Sequence, residues 1–298
     1  MVYTEIQERQ GKKYYYRVKS VRKGNKISKE RVYLGVNLNK KEIAEAVKKA
    51  DKELNALKNL LSNEDLNFIE KIKKIFLQQP KENFESRYES FCAQFTYNSN
   101  AIEGNTLTLQ ETAQLLFENI VPAAKSVREI KEALNHKQAF DYILSYTGDM
   151  SKKLMLDLHK IVVNETLDDT DQIGTWRKVQ VYIRGVEWLP PKPAEVPREI
   201  KSLLAWYSKN KNKLHPLIVA AYFHVGFETI HPFVDGNGRV GRLLINVILR
   251  KNKLPMINIP HAKRIEYYKA LEEAQTKGNL KAFVNFLLQI YKENKLYI

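Results

Sequence analysis

The sequence predicts a mainly α protein: a helical domain from about residue 80 onward, a short β-hairpin set into it, and a small β module in front. Three observations carry this. Residues 1–40 alternate and are rich in β-branched and aromatic side chains, whereas apolar residues recur at helical spacing from Lys40 onward. The exception within the helical part is Val179 to Trp188, which alternates around Arg184-Gly185 and then meets Pro190-Pro191.

Taken in order, Tyr14-Tyr15-Tyr16-Arg17-Val18 reads as a strand, Lys23-Gly24-Asn25-Lys26 as a turn and Arg31-Val32-Tyr33-Leu34 as the returning strand. From Lys40 to about Phe76, Ile43, Val47, Leu54, Leu57 and Leu61 mark one or two connecting helices. A cap is expected near Ser62, with Glu64 and Asp65 in the first turn. Phe84, Tyr88, Phe91 and Phe95 form one apolar stripe. The capping boxes Thr108-x-x-Glu111 and Ser126-x-x-Glu129 start further helices, and Pro197 and Pro216 stand where first-turn prolines belong. The expected organisation is a basic β module over 1–38, a helical linker over 39–79 and the main domain over 80–298.

The 298 residues are 44% hydrophobic and 28% charged, with a formal net charge of +15. Residues 1–40 hold eleven Lys/Arg against Glu5, Glu8 and Glu30, so +8 of that excess lies in the first forty residues. Basic side chains interleaved with Tyr14, Tyr15 and Tyr16 suit a nucleic-acid surface, with a solubilising or protein-docking sheet as the alternative. No apolar run approaches the roughly 18–20 residues of a membrane span. The N-terminus lacks a signal-peptide pattern, and a single cysteine, Cys92, excludes an intramolecular disulfide framework, so a cytoplasmic protein is expected. His136, His159, His215 and His224 show no zinc-ligand spacing and read as structural or surface residues, although His224, seven residues before His231, could line a site.

The chemistry concentrates in Ile230-His231-Pro232-Phe233-Val234-Asp235-Gly236-Asn237-Gly238-Arg239-Val240-Gly241-Arg242. An apolar helix ends, a glycine-rich loop follows, and a second apolar helix begins. Gly236 and Gly238 let successive N–H groups converge into an anion-binding nest at a helix N-terminus. Arg239 and Arg242, three apart, suit a polyphosphate. Asp235 offers a hard oxygen for Mg²⁺, and His231 can take a proton from a hydroxyl near neutral pH. A calcium loop does not account for the run, because that register puts Phe233 and Leu244 at ligand positions. A purely structural turn explains the glycines but not His231 with both arginines.

This run resembles the signature of the Fic family, His-x-Phe-x-Asp/Glu-Gly-Asn-Gly-Arg-x-x-Arg, at every fixed position. Gly174-Thr175-Trp176-Arg177 resembles the element that precedes the family's flap, and Val179–Glu187, including Val181, Tyr182 and Ile183, resembles the flap hairpin that aligns a target segment by strand addition. Arg264-x-x-Tyr267-Tyr268-x-x-Leu271 resembles the helix after the active site. The resemblance covers about residues 80–290. It implies a helical Fic fold and AMP transfer from Mg-ATP to a Ser, Thr or Tyr hydroxyl of a protein. His231 would be the base and Asp235 the Mg²⁺ ligand. Gly236, Asn237 and Gly238 would bind phosphate oxygens, and Arg239 and Arg242 the β/γ end. Phe233 would anchor the loop.

Upstream, Ser99-x-x-x-Glu103-Gly104 is a helix end presenting a carboxylate. It resembles the family's inhibitory helix (about 96–104), which implies that Glu103 pairs with Arg242 in place of the γ-phosphate. The same resemblance leaves open removal of AMP, transfer of another nucleotide and a homodimer. A reading of a different class is a nucleic-acid-binding regulator acting through residues 1–40.

Overall fold

The computed structural model describes residues 2–9, 11–23 and 26–293. The chain forms two compact units, Met1–Leu60 and Leu61–Ile298.

In the first unit β1 (Val2–Arg9), β2 (Lys12–Lys23) and β3 (Lys26–Val36) make an antiparallel sheet in sequential order. Gly24 and Asn25 of the expected turn lie outside the described residues. The β2–β3 register shifts between Tyr15 and Tyr16. Tyr14, Tyr16 and Tyr33 gather, with Tyr33 packed 5.5 Å from Tyr16 and 6.4 Å from Tyr14. Val18 and Tyr15 are buried. Helix α1 (Lys40–Lys58) packs on β3 and β2. Gly35 admits this return of the chain: a Cβ there would stand 2.8 Å from Leu38.

The connecting region is two helices, one in each unit. Helix α2 (Asn63–Leu77) starts at Ser62, whose side chain accepts from the Asp65 N–H while the Asp65 carboxylate accepts from the Ser62 N–H.

The second unit continues with α3 (Phe84–Ile102), α4 (Leu109–Ala113) running into a π-helical turn at Gln114–Glu118, and α5 (Val127–Ser145). Then come α6 (Lys152–Val162), α7 (Val196–Asn210), α8 (Pro216–Ile230), α9 (Asn237–Lys251), α10 (Arg264–Lys277) and α11 (Leu280–Glu293). Both capping boxes form as expected, at Thr108 and Ser126. Pro216 opens α8; Pro197 stands second in α7.

Helix α8 is apolar on nearly every side, which is the pattern of a central helix. It packs on α7, α9, α10 and α11, while α9 also meets α3, α5 and α6. The α8–α9 connection is thereby held at the centre of the unit. The C-terminus of α3 reaches α9 from the other side.

The expected β-hairpin over Val179–Glu187 does not form: the segment is extended and turned, with no ladder. The backbone groups that a ladder needs are engaged or missing. Arg177 donates to the carbonyls of Val179 and Pro191, and the Gln180 side chain donates to those of Val181 and Pro190. Pro190 and Pro191 have no N–H to return. Tyr182 stands 77% exposed at the outer edge of this flap.

Candidate active site

His231 caps the C-terminus of α8. Its φ of +48° is left-handed, and its N–H closes on the Phe227 carbonyl at 2.9 Å. That conformation turns the chain out of the helix and is unfavourable for a residue with a Cβ. Arg177 holds it there: Nε donates to the His231 carbonyl at 2.8 Å, Nη2 to the Ile230 carbonyl at 3.4 Å, and the Arg177 N–H to the Pro232 carbonyl at 2.9 Å. The Gly174–Arg177 element thus fixes the base of the flap and the backbone of His231 together.

Phe233 is fully buried, stacked on His159 at 3.8 Å and near-parallel, with Trp176 at 5.1 Å. Asn237 locks the loop around it: Oδ1 accepts from the Phe233 N–H and Nδ2 donates to the Phe233 carbonyl, each at 2.9 Å. Both polar groups of the Asn237 side chain are therefore committed to the loop. Gly236 (φ +78°) makes the left-handed turn into α9, as expected. Gly238 does not turn; it is helical, and its lack of a side chain serves a close approach. A Cβ there would lie 2.1 Å from Glu103 Oε1 and 3.0 Å from Arg242 Nη1.

The two arginines diverge. Arg239, 2% exposed, meets Asp235 at 3.2 Å and Glu132 at 3.3 Å. Arg242, equally buried, donates from Nε to Ser99 Oγ at 3.0 Å, and from Nη2 to the Ser99 carbonyl at 2.7 Å and to Glu103 Oε1 at 2.8 Å. Glu103 is the C-cap of α3, and Gly104 (φ +104°) ends the helix behind it. Asp235 accepts from the Gly236 N–H at 2.6 Å and pairs with Arg128 at 2.9 Å as well as with Arg239. Burial alone would raise its pKa; Arg239, the Gly236 N–H and Arg128 outweigh it and hold the carboxyl below its ordinary range.

The sequence reading did not find Glu228. It is buried on α8, with Oε2 3.7 Å from His231 Nδ1. Burial, then the nearby Glu103, push its pKa up to about 8 against the pull of Arg242. A signal was available: Glu228 is the one Asp, Glu, Lys or Arg in the apolar run Pro216–Ile230. His231 is shifted oppositely, down to about 4 by burial, so its imidazole is neutral at physiological pH. His224 does not line the site; it is buried and bonds Tyr267 Oη at 2.8 Å. Cys92 is buried, and burial pushes its thiol up to about 12.

These parts surround a cleft of about 600 Å³. Its floor is His231, Gly238, Glu103 and Glu228. One wall is the flap from Tyr182 to Trp188, and the other is Tyr267, Tyr268 and Leu271 of α10.

Residues 149–249, which contain the His231–Arg242 loop, match the Fic/DOC family model. The chain carries a Fic/DOC-family domain. The Drosophila melanogaster "Protein adenylyltransferase Fic" is 36% identical to it over 198 residues, 65% of this chain and 39% of that protein. The Drosophila persimilis protein of the same name is likewise 36% identical, over 38% of its own length. The chain thus spans about two fifths of the curated relatives that it matches. Among solved structures, a Fic-domain-containing signaling protein from Bacteroides thetaiotaomicron superposes with a TM-score of 0.69 at 26% identity, covering 76% of this chain and 92% of that one. Fic-1 from C. elegans gives 0.69 at 25% identity, covering 86% and 77%. The Fic domain is helical, as expected. Among the described residues no helix is long and apolar enough to cross a membrane.

Proposed function

We propose that this Fic domain transfers AMP from ATP to a hydroxyl group of a protein, with His231 as general base and Glu103 as a built-in brake. The observation that carries the reading is that the His231 imidazole and the N-terminus of α9 open into the same cleft. The adenylyltransferase names of the 36%-identical relatives support it.

The first turn of a helix has N–H groups without intrahelical partners and a positive dipole end. At α9 these lie beside His231, so phosphate oxygens bound there would present the α-phosphorus to a hydroxyl next to the imidazole. The hydroxyl proton passes to His231 as the new O–P bond forms and the bond to the β-phosphate oxygen breaks, releasing pyrophosphate. Arg242 would stabilise the departing phosphates.

Mg²⁺ fits Asp235. A partly exposed carboxylate at the start of α9 suits an ion that takes one or two carboxylates and completes its shell with phosphate and water oxygens. Arg128, itself 59% exposed, would give way. The ion would neutralise charge on the phosphates.

In this structure Arg242 is occupied by Glu103 and Ser99. An ATP γ-phosphate competing for the same guanidinium meets a carboxylate of like charge, which is the physical basis of the brake. The flap, including Val181, Tyr182 and Ile183, is the segment along which a target chain would align.

The test is transfer of label from α-³²P-ATP onto protein, with and without Mg²⁺, by the wild type, Glu103→Gly and Glu103→Gly/His231→Ala. Mg²⁺-dependent signal strongest in Glu103→Gly and absent from the double variant is expected. Equal signal in all three would overturn both assignments. Silence in all three folded proteins, with no label on the chain itself or on added protein, would overturn AMP transfer.

A further inference from the structure

Glu228 presents a physical problem that the proposed chemistry leaves unsolved. A carboxyl group buried away from water costs stability unless hydrogen-bonded or paired. Glu228 Oε1 accepts no hydrogen bond from the protein, and the rings of His224 and His231 face main-chain groups of Gly241 and Glu228 respectively without a well-aligned hydrogen bond at Nδ1. Buried polar groups without a formed hydrogen bond call for an explanation, and those of His224, Glu228 and His231 lie together along α8 and its C-cap.

The packing around Glu228 makes room for it. On the α9 side stands Gly241, where a Cβ would lie 2.6 Å from Glu228 Oε1 and 2.9 Å from His224 Nδ1. Any side chain at 241 would expel the carboxyl group. On the other side Oε2 points to the imidazole of His231, one helical turn away. The charged or titratable groups that face it are Glu103 from α3, Arg242 from α9, Tyr267 from α10, and His224 and His231 from its own helix. None of them makes an ion pair with it at hydrogen-bonding distance.

A neutral imidazole has one N–H and one lone pair, and its neighbours decide which nitrogen has which. For His231 to take a proton from a hydroxyl in the cleft through Nε2, its own proton must sit on Nδ1. Nδ1–H then needs an acceptor, and Glu228 offers two, its main-chain carbonyl and its side-chain carboxyl. The Glu228 carboxyl oxygen at 3.7 Å is too far for a formed hydrogen bond, but a modest rotation of either side chain closes it. Catalytic hydrogen bonds are commonly long in the unliganded protein and tighten with substrate bound.

We propose that Glu228 is a positioning residue for the base: its Oε2 accepts a hydrogen bond from Nδ1–H of His231, which fixes the tautomer and leaves Nε2 facing the acceptor hydroxyl. When His231 becomes an imidazolium, the same oxygen takes up part of the developing charge. The logic is that of a carboxyl group behind a catalytic histidine, supplied here from the turn preceding it in the same helix. Gly241 is part of the arrangement, since it creates the space the carboxyl occupies.

The inference rests on His231 being the base, so its test separates the two. The readout independent of activity is the ¹⁵N shift pattern of the His231 imidazole in the full chain, identified among the six histidines as the signal missing from His231→Asn. The wild type is expected to carry its proton on Nδ1. Glu228→Leu, which fills similar volume without an acceptor, should lose that fixed pattern. Glu228→Gln, which keeps an acceptor oxygen, should retain it. In the Glu103→Gly background, Glu228→Leu should lower kcat for AMP transfer about 10- to 100-fold with KM for ATP nearly unchanged, while Glu228→Gln stays within about threefold of its parent. A wild-type His231 with its proton on Nε2 overturns the proposal whatever the activities are. So does a Glu228→Leu protein that keeps the Nδ1–H pattern. If no variant transfers AMP, the imidazole spectra still decide the role of Glu228, and the activity reading alone fails.

Discussion

Arg242 Nη2 lies 2.8 Å from Glu103 Oε1, although 139 positions separate the two residues in the chain. The contact closes over Gly238, where no other residue would leave room for the carboxylate. It joins the end of α3 to the sixth residue of α9 at the floor of the cleft.

Ser99 shares that guanidinium, which gives a graded prediction. Ser99→Ala removes the Oγ acceptor but leaves the Ser99 carbonyl and Glu103 in place. One hydrogen bond to a charged group is worth about 1.5–3 kcal/mol. Label transfer by Ser99→Ala should therefore fall between wild type and Glu103→Gly. A Ser99→Ala protein as inactive as wild type would show that Ser99 contributes nothing to the brake.

Acid should unfold the second unit early. Burial lowers the pKa of His136, His159, His215, His224 and His231 below the ordinary 6.5, to about 4 for His159, His215 and His231. The unfolded chain then binds protons first as pH falls. This contribution to stability is complete above about 6.5 and is lost on going down from 6.5 to 4. Trp176, Trp188 and Trp206 all lie in this unit, so fluorescence follows it. The urea midpoint at pH 5 should lie well below that at pH 7, the unfolding free energy falling by on the order of 1 kcal/mol or more for each of these histidines. Equal midpoints would contradict neutral burial.

Glu228→Gln should stabilise the protein. Folding raises the Glu228 pKa from 4.5 to about 8, so the unfolded chain ionises first as pH rises. Stability linked to this group is full below 4.5 and declines from there up to about 8. Glutamine removes the decline, for a gain of at most about 3 kcal/mol at pH 7. The melting temperature should rise at pH 7 to 8 and be unchanged near pH 4.5. A fall at pH 7 would show that the carboxyl group stabilises the fold.

Arg177→Lys should be costly despite keeping the charge. Lysine cannot reproduce a planar fork that serves the carbonyls of Val179, Pro191, Ile230 and His231 at once. Leaving one or two of these buried acceptors unpaired costs about 2–4 kcal/mol. The expected outcome is a lower unfolding midpoint together with reduced transfer in the Glu103→Gly background, because the left-handed His231 loses its clamp. Unchanged stability would mean that the flap base is held by other contacts.

The sequence by itself determined the helices, their caps and the His231–Arg242 loop. Helical periodicity and N-terminal capping are local, and a histidine, a turn and a helix N-terminus within twelve consecutive residues are brought together by the backbone between them. Gly236 makes the left-handed turn and Phe233 is buried beneath the loop, as their types indicated. Tertiary structure decided which groups are free to act. Asn237 spends its side chain on Phe233, Arg239 turns to Glu132 and Asp235, and Gly238 serves the approach of Glu103 rather than a turn. The flap alternates like a hairpin in sequence, yet Arg177 and Gln180 take the carbonyls that a ladder would use. Glu228 reads as one polar residue in an apolar helix until α9 packs Gly241 against it. Each of these outcomes depends on which partner reaches a polar group first, and that is fixed by contacts between segments far apart in the chain.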